Sequence, residues 1–206
     1  IGAQVTTLRL REEDHFLPDL DHLRELATGE TKLIAFTNPN NPTGALIEQP
    51  MLEKIVEIAD AADAYLLCDE VYRGTAQVGD GMVPSIADMY RKGISTAGMS
   101  KVFSLAGLRL GWVAAPEDVT EKIMIHRDYD TISVGMLNDH FAAIALENAN
   151  NVLSRSRQIT RENLAILEEW INNEPRVSWV KPRAGTTAML KLDVPMTCRE
   201  FCIDLI

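Results

Sequence analysis

The chain has 206 residues, 46% of them hydrophobic and 24% charged, the usage of an ordinary globular protein that can build a core without disulfides. A formal charge of -10 with no cluster of Lys or Arg excludes a nucleic-acid scaffold, and no run approaches the ~18 apolar residues of a membrane span. Three cysteines without a CxxC pair form neither a disulfide framework nor a zinc site, so no metal is expected, and a reducing, cytoplasmic compartment fits best.

The opening stretch, IGAQVTTLRL, alternates like a strand and shows no initiator Met or signal-peptide pattern. PDLDHLRELATG (18–29) has Pro18 and Asp19 as start signals, leucines at helical spacing and Gly29 as a stop, which predicts a helix. KLIAFT (32–37) is a short apolar run between turn residues and predicts a buried strand, followed by the loop NPNNPTG (38–44). A helix over 51–64, with Leu52, Ile55, Val56 and Ala59 on one face, leads to a second buried strand, YLLCDE (65–70). A weak helix near 85–91 precedes strands at 93–100 and 111–115. Helices follow at 116–127, 135–149 and 152–173, then strands at 177–180 and 186–194. The closing TCREFCIDLI is an amphipathic helix cut off on an apolar residue, so the chain is expected to be a fragment of a longer protein.

Strands separated by helices through residue 127 predict an α/β fold with a parallel or mixed sheet covered on both faces. The later switch to a long helix and then strands, with Pro182 and Gly185 between them, predicts a smaller α+β unit. The expected division is 1–150 and 151–206.

Open α/β sheets place ligands beyond the carboxyl ends of their strands, and the polar residues of interest fall there. Asn38 to Gly44 follows one strand, DEVY (69–72) ends the next, and Ser100 and Lys101 end the third. Each has an ordinary reading when taken alone. Asp69 suits a helix cap, Tyr72 a packed amphipathic side chain, NNPTG a turn and Arg109 a surface ion pair. Lys101 is followed by Val102, Phe103, Leu105 and Leu108, which predicts a buried amine, either salt-bridged or reactive. Together they offer what pyridoxal 5'-phosphate requires: an amine for its aldehyde, a carboxylate for its ring nitrogen, donors for its phenolic oxygen and a guanidinium for its phosphate.

NNPTG, DEVY and SKVFSLAGLRLGW, in this order, resemble the class I/II aminotransferases among the fold-type I pyridoxal-phosphate enzymes. The similarity runs through essentially the whole chain. It implies a three-layer α/β sandwich around a mostly parallel sheet, with part of a smaller α+β domain. Lys101 would be the Schiff-base lysine and proton carrier. Asp69 would pair with the pyridinium nitrogen, Tyr72 and Asn41 would hold the phenolic oxygen, and Ser100 and Arg109 the phosphate. The implied activity moves an amino group between an L-amino acid and a 2-oxo acid, in a homodimer whose segment 127–139 falls where inter-subunit contacts occur. A β-lyase or a decarboxylase would use the same residues. A non-catalytic regulatory half is a further alternative, although no helix-turn-helix is seen. The family's Ser or Thr three residues before the lysine is Gly98 here, and Arg73 leaves acidic substrates an open question.

Overall fold

A computed structural model describes residues 2–79 and 81–206. Helix α1 (Leu20–Leu26) starts on Asp19, whose carboxylate accepts the N–H groups of Asp21 and His22 and so satisfies two donors of the first turn. Strand β1 (Leu33–Thr37) leads through the Asn-Pro loop to α2 (Gln49–Ala61), which has proline in its first turn. Strand β2 (Tyr65–Asp69), the short α3 (Ile86–Met89), β3 (Gly93–Gly98) and β4 (Gly111–Ala114) follow. Helices α4 (Glu117–Arg127), α5 (Met136–Glu147) and α6 (Ala149–Asn173) precede a hairpin of β5 (Val177–Trp179) and β6 (Leu190–Leu192), and α7 (Cys198–Asp204) follows it. None of the helices is long and apolar enough to cross a membrane among the described residues.

The main sheet has the order β1-β2-β3-β4, with the first three strands parallel and β4 antiparallel. This is the mostly parallel sheet expected of an α/β chain. Leu66 and Cys68 point to one face, where they pack with Leu52, Ile55, Ile58 and Ile86 from α2 and α3. Leu52, Ile55, Leu66 and Ile86 are at most 2% exposed, and burying each such side chain contributes about 1.5–3 kcal/mol. A second cluster joins Met99, Val102 and Phe103 to Ala142 and Ala145 of α5 and Leu153 of α6.

Several expectations need correction. Segment 32–37 is not a buried strand: β1 lies at the sheet edge, only Ile34 and Phe36 reach the core, and Leu33 is 48% exposed. Leu33, Ala35 and Val113 are exposed on the far face, which α4 meets at Tyr65, whose hydroxyl donates to Asp118 (3.1 Å). Residues 2–10 form no strand despite their alternation, and Val5 is 83% exposed with no strand beside it. The last strand is confined to Leu190–Leu192, because residues 183–185 bond elsewhere, as described below.

Candidate active site

The parallel register places Thr37, Asp69 and Thr96 side by side at the carboxyl ends of β1, β2 and β3. Beyond that line the chain continues into the three segments singled out by their polar residues. The Asn38 N–H donates to the Asp69 carbonyl (3.0 Å) and the Glu70 N–H to the Thr96 carbonyl (2.8 Å), so the strand ends stay joined into their loops.

Asp69 is half-buried, and its Oδ1 accepts the Thr96 hydroxyl (3.2 Å) and the Val71 N–H (3.3 Å). Both donors use the same oxygen, which leaves Oδ2 without a protein partner among the described residues. Tyr72 is buried, and its hydroxyl oxygen stands 3.5 Å from Nδ2 of the exposed Asn41. These two come from different loops, and each loop is fixed by buried polar contacts. The Asn38 side chain donates to the Ile47 carbonyl and accepts the Ile47 N–H, both at 2.9 Å, and closes the Asn-Pro loop. Glu70, 5% exposed, accepts from the Ser85 hydroxyl (3.0 Å) and the Ile86 N–H (2.8 Å), which ties DEVY to the start of α3.

The hairpin between β3 and β4 explains the spacing of Ser100, Lys101 and Arg109. Gly98 pairs with Gly111, and the Met99 N–H donates to the Leu110 carbonyl (3.0 Å). Half-buried Ser100 and exposed Arg109 therefore flank that bond from opposite arms. Arg109 lies in the left-handed region (φ 49°), and one guanidinium nitrogen donates to the Ala106 carbonyl (3.0 Å). A side chain at Gly98, where a hydroxyl residue was the family expectation, would begin 3.0 Å from the Leu110 carbonyl oxygen, a tight approach.

Lys101 is exposed, not buried. The turn after β3 sends Val102 and Phe103 into the α5–α6 cluster and leaves the lysine on the wall of a cleft of about 290 Å³, lined also by Gln77, Ser104, Thr160 and Thr187. Arg73 is occupied: its Nε donates to the Val83 carbonyl (2.7 Å) and lies 3.9 Å from Glu70. Cys68, one residue before Asp69, is buried, and desolvation with the nearby Glu70 and Asp69 carboxylates pushes its thiol up, which keeps it inert.

The structure thus brings Asp69, Tyr72 and Asn41 to adjoining strand ends and Ser100, Lys101 and Arg109 to the neighbouring hairpin. Thr96 and Asn38 were not singled out individually by the sequence reading. Thr96 matters only through strand register, which has no local signature. For Asn38, a lone asparagine ahead of a proline was the available signal.

The family model for Aminotransferase class I and II matches residues 1–206, and the chain belongs to that family. A PLP-dependent aminotransferase from Streptococcus suis superposes with a TM-score of 0.94 at 44% identity, over 99% of this chain and 54% of that one. Capreomycidine synthase of Streptomyces vinaceus is 29% identical over 100% of this chain and 53% of its own length. Aromatic-amino-acid aminotransferase 2 of Thermococcus litoralis is 31% identical over 97% of this chain and 52% of its own. The chain spans about half the length of the curated relatives it matches.

Proposed function

We propose that this chain carries the lysine-bearing part of a pyridoxal-phosphate-dependent aminotransferase, which moves an amino group between an L-amino acid and a 2-oxo acid. The observation that carries the reading is Asp69 with its free Oδ2 beside the Asn41–Tyr72 pair, next to the hairpin that bears Lys101. The donor set fits the cofactor: one anion, two neutral groups that can donate, one primary amine, and a hydroxyl with a guanidinium for a phosphate. Family membership supports it independently.

Bound pyridoxal phosphate supplies an electron sink for the pair left when the substrate Cα–H bond breaks. Asp69 Oδ2 would hold a proton on the ring nitrogen, because an anion at that edge favours the charged form. Tyr72 and Asn41 would donate to the ring's phenolic oxygen. Ser100 and Arg109 would bind the phosphate, the guanidinium as a planar fork. Lys101 would supply the amine that holds the cofactor's aldehyde, and its Nζ would be the base that takes the proton from the substrate α-carbon and the acid that gives it back. A second substrate, a 2-oxo acid, runs these steps in reverse, giving ping-pong kinetics. The working protein is proposed to be a cytoplasmic homodimer with exposed residues of segment 127–139 at its interface.

Borohydride reduction of the native-length protein with pyridoxal phosphate, followed by peptide mass spectrometry, is expected to find the phosphopyridoxyl group on Lys101. Labels scattered over surface lysines would overturn the reading and favour a non-catalytic module. The second reading, a lyase, decarboxylase or cyclising enzyme on the same residues, draws on the similarity to a synthase across the whole chain. An added amino acid that converts the cofactor to its pyridoxamine form supports transamination, whereas release of pyruvate and ammonia supports a lyase.

A further inference from the structure

Segment 182–185 lies between β5 and β6, yet its backbone bonds run to the two loops that carry Asn41 and Tyr72. The N–H groups of Arg183 and Ala184 both donate to the Gly44 carbonyl (2.8 and 3.0 Å), at the end of NNPTG. The Gln77 N–H donates to the Arg183 carbonyl (2.9 Å), five residues beyond Tyr72. Ala184, fully buried, packs with Leu46 of the first loop and Ala76 of the second. One hydroxyl completes this staple. Thr75, 0% exposed, accepts the Gly185 N–H (2.9 Å) and donates to the Tyr72 carbonyl (2.5 Å).

We propose that Thr75 is a positioning residue: its hydroxyl couples the β5–β6 hairpin to the backbone of Tyr72 and thereby sets where the Tyr72 phenol stands beside Asn41. The inference rests on the functional reading above, in which that phenol donates to the ring oxygen of the cofactor. The argument is geometric. The hydroxyl uses a donor and an acceptor at once in a site closed to water, so no solvent molecule can replace it when it is removed, and two backbone groups lose their partner together. One of them belongs to the residue whose side chain is at issue. Its 3.5 Å separation from Asn41 is long for a hydrogen bond, so a small backbone shift decides whether the pair acts on one atom. The charged groups facing the staple are engaged: Glu70 with Arg73, Glu48 with Arg183, Lys181 with Glu168 of α6, and Arg161 of α6 with the Ala76 carbonyl (3.0 Å). Asp69, Lys101 and Arg109 remain as the site's own charges and are unaltered in every variant below.

The test uses the native-length protein loaded with pyridoxal phosphate and reads the apparent pKa of the Lys101 nitrogen from the pH dependence of cofactor absorption. Donors to the phenolic oxygen compete for the proton that this oxygen shares with the nitrogen, so a displaced Tyr72 raises the pKa. Thr75→Val is expected to raise it by about one unit, the scale of one hydrogen bond, while Thr75→Ser leaves it unchanged. Tyr72→Phe also raises it, and adding Thr75→Val to Tyr72→Phe produces no further rise, since both act through one phenol. Should Thr75→Val fail to fold, Thr75→Cys keeps the volume with a weaker donor and acceptor and must still raise the value. An unmoved pKa in the folded variant, or a full further rise on top of Tyr72→Phe, overturns the inference while leaving the function intact. Failure to trap any adduct on Lys101 of the unaltered protein overturns both.

Discussion

At Asp69 the two carboxylate oxygens differ in their surroundings: Oδ1 accepts the Thr96 hydroxyl and the Val71 N–H, while Oδ2 has no protein donor among the described residues. Substitutions therefore separate the charge from its orientation. Asp69→Asn keeps the shape and removes the anion, which should lower kcat/KM by about a hundredfold or more, the worth of a charge-assisted hydrogen bond at the reacting ring. Thr96→Val removes one orienting bond and should lower it by about tenfold or less. Steady-state kinetics on the native-length protein measure both, and a larger loss for Thr96→Val than for Asp69→Asn would contradict the ring-nitrogen role. One residue earlier, the raised thiol of Cys68 predicts a clean contrast. Iodoacetamide at mildly alkaline pH should label the exposed Cys198 and Cys202 and spare Cys68 until the protein is unfolded, as read by mass spectrometry.

At the scale of elements, the Asn-Pro loop and the β5–β6 hairpin meet at Gly44. Its φ is +68°, and a Cβ there would fall 2.5 Å from the Pro182 Cβ, so Gly44→Ala meets both backbone strain and a clash. The expected loss is about 2–4 kcal/mol, read as a lower urea midpoint, together with weaker cofactor retention. The helix ends respond to acid. Backbone N–H groups, His22 first, hold the Asp19 carboxyl below its ordinary 3.8, and the Thr197 N–H and hydroxyl hold Glu200 below its ordinary 4.5. Groups lowered on folding stabilise the fold above their unfolded pKa and lose that contribution as pH falls through the folded one. Backbone chemical shifts should thus show α1 and α7 fraying below about pH 4, ahead of α2, whose start has no side-chain cap. The Asp19 cap was readable in the sequence because it acts within three residues of itself, whereas the Thr197 cap, equally local, was not singled out there. Residues 186–189 were misread as strand because their alternation is local, whereas the bonds of the preceding segment reach Gly44 and Thr75, far away in the chain.

Over the whole molecule, the residues proposed for a pyridoxal-phosphate site could be named from the sequence because NNPTG, DEVY and SKVFSLAGLRLGW are local motifs, whereas the neighbour order β1-β2-β3 that sets their strand ends side by side is visible only in the sheet. What could not be read was the direction of side chains on the turns. Lys101 looked buried from its neighbours, yet the turn divides them, with Val102 and Phe103 inward and Lys101 outward, and that choice is made by α5 and α6 some forty residues later. The apolar residues that stay outside carry an argument of their own. Ile125, Tyr129, Ile132, Met136, Leu137 and Phe141 are between 53% and 88% exposed in one stretch of chain that turns from α4 into α5. Exposed apolar residues gathered in one stretch of chain are typical of association surfaces, where about 800 Å² per partner is usual. The native-length protein should therefore sediment as a dimer. Replacing Met136 and Leu137 together by Glu should shift it to monomer, because two buried carboxylates without partners would oppose the interface on each side. Both residues lie outside the two core clusters, so far-UV circular dichroism should be unchanged. A dimer that survives the double substitution with unaltered affinity would move the interface elsewhere and return this stretch to the ordinary surface.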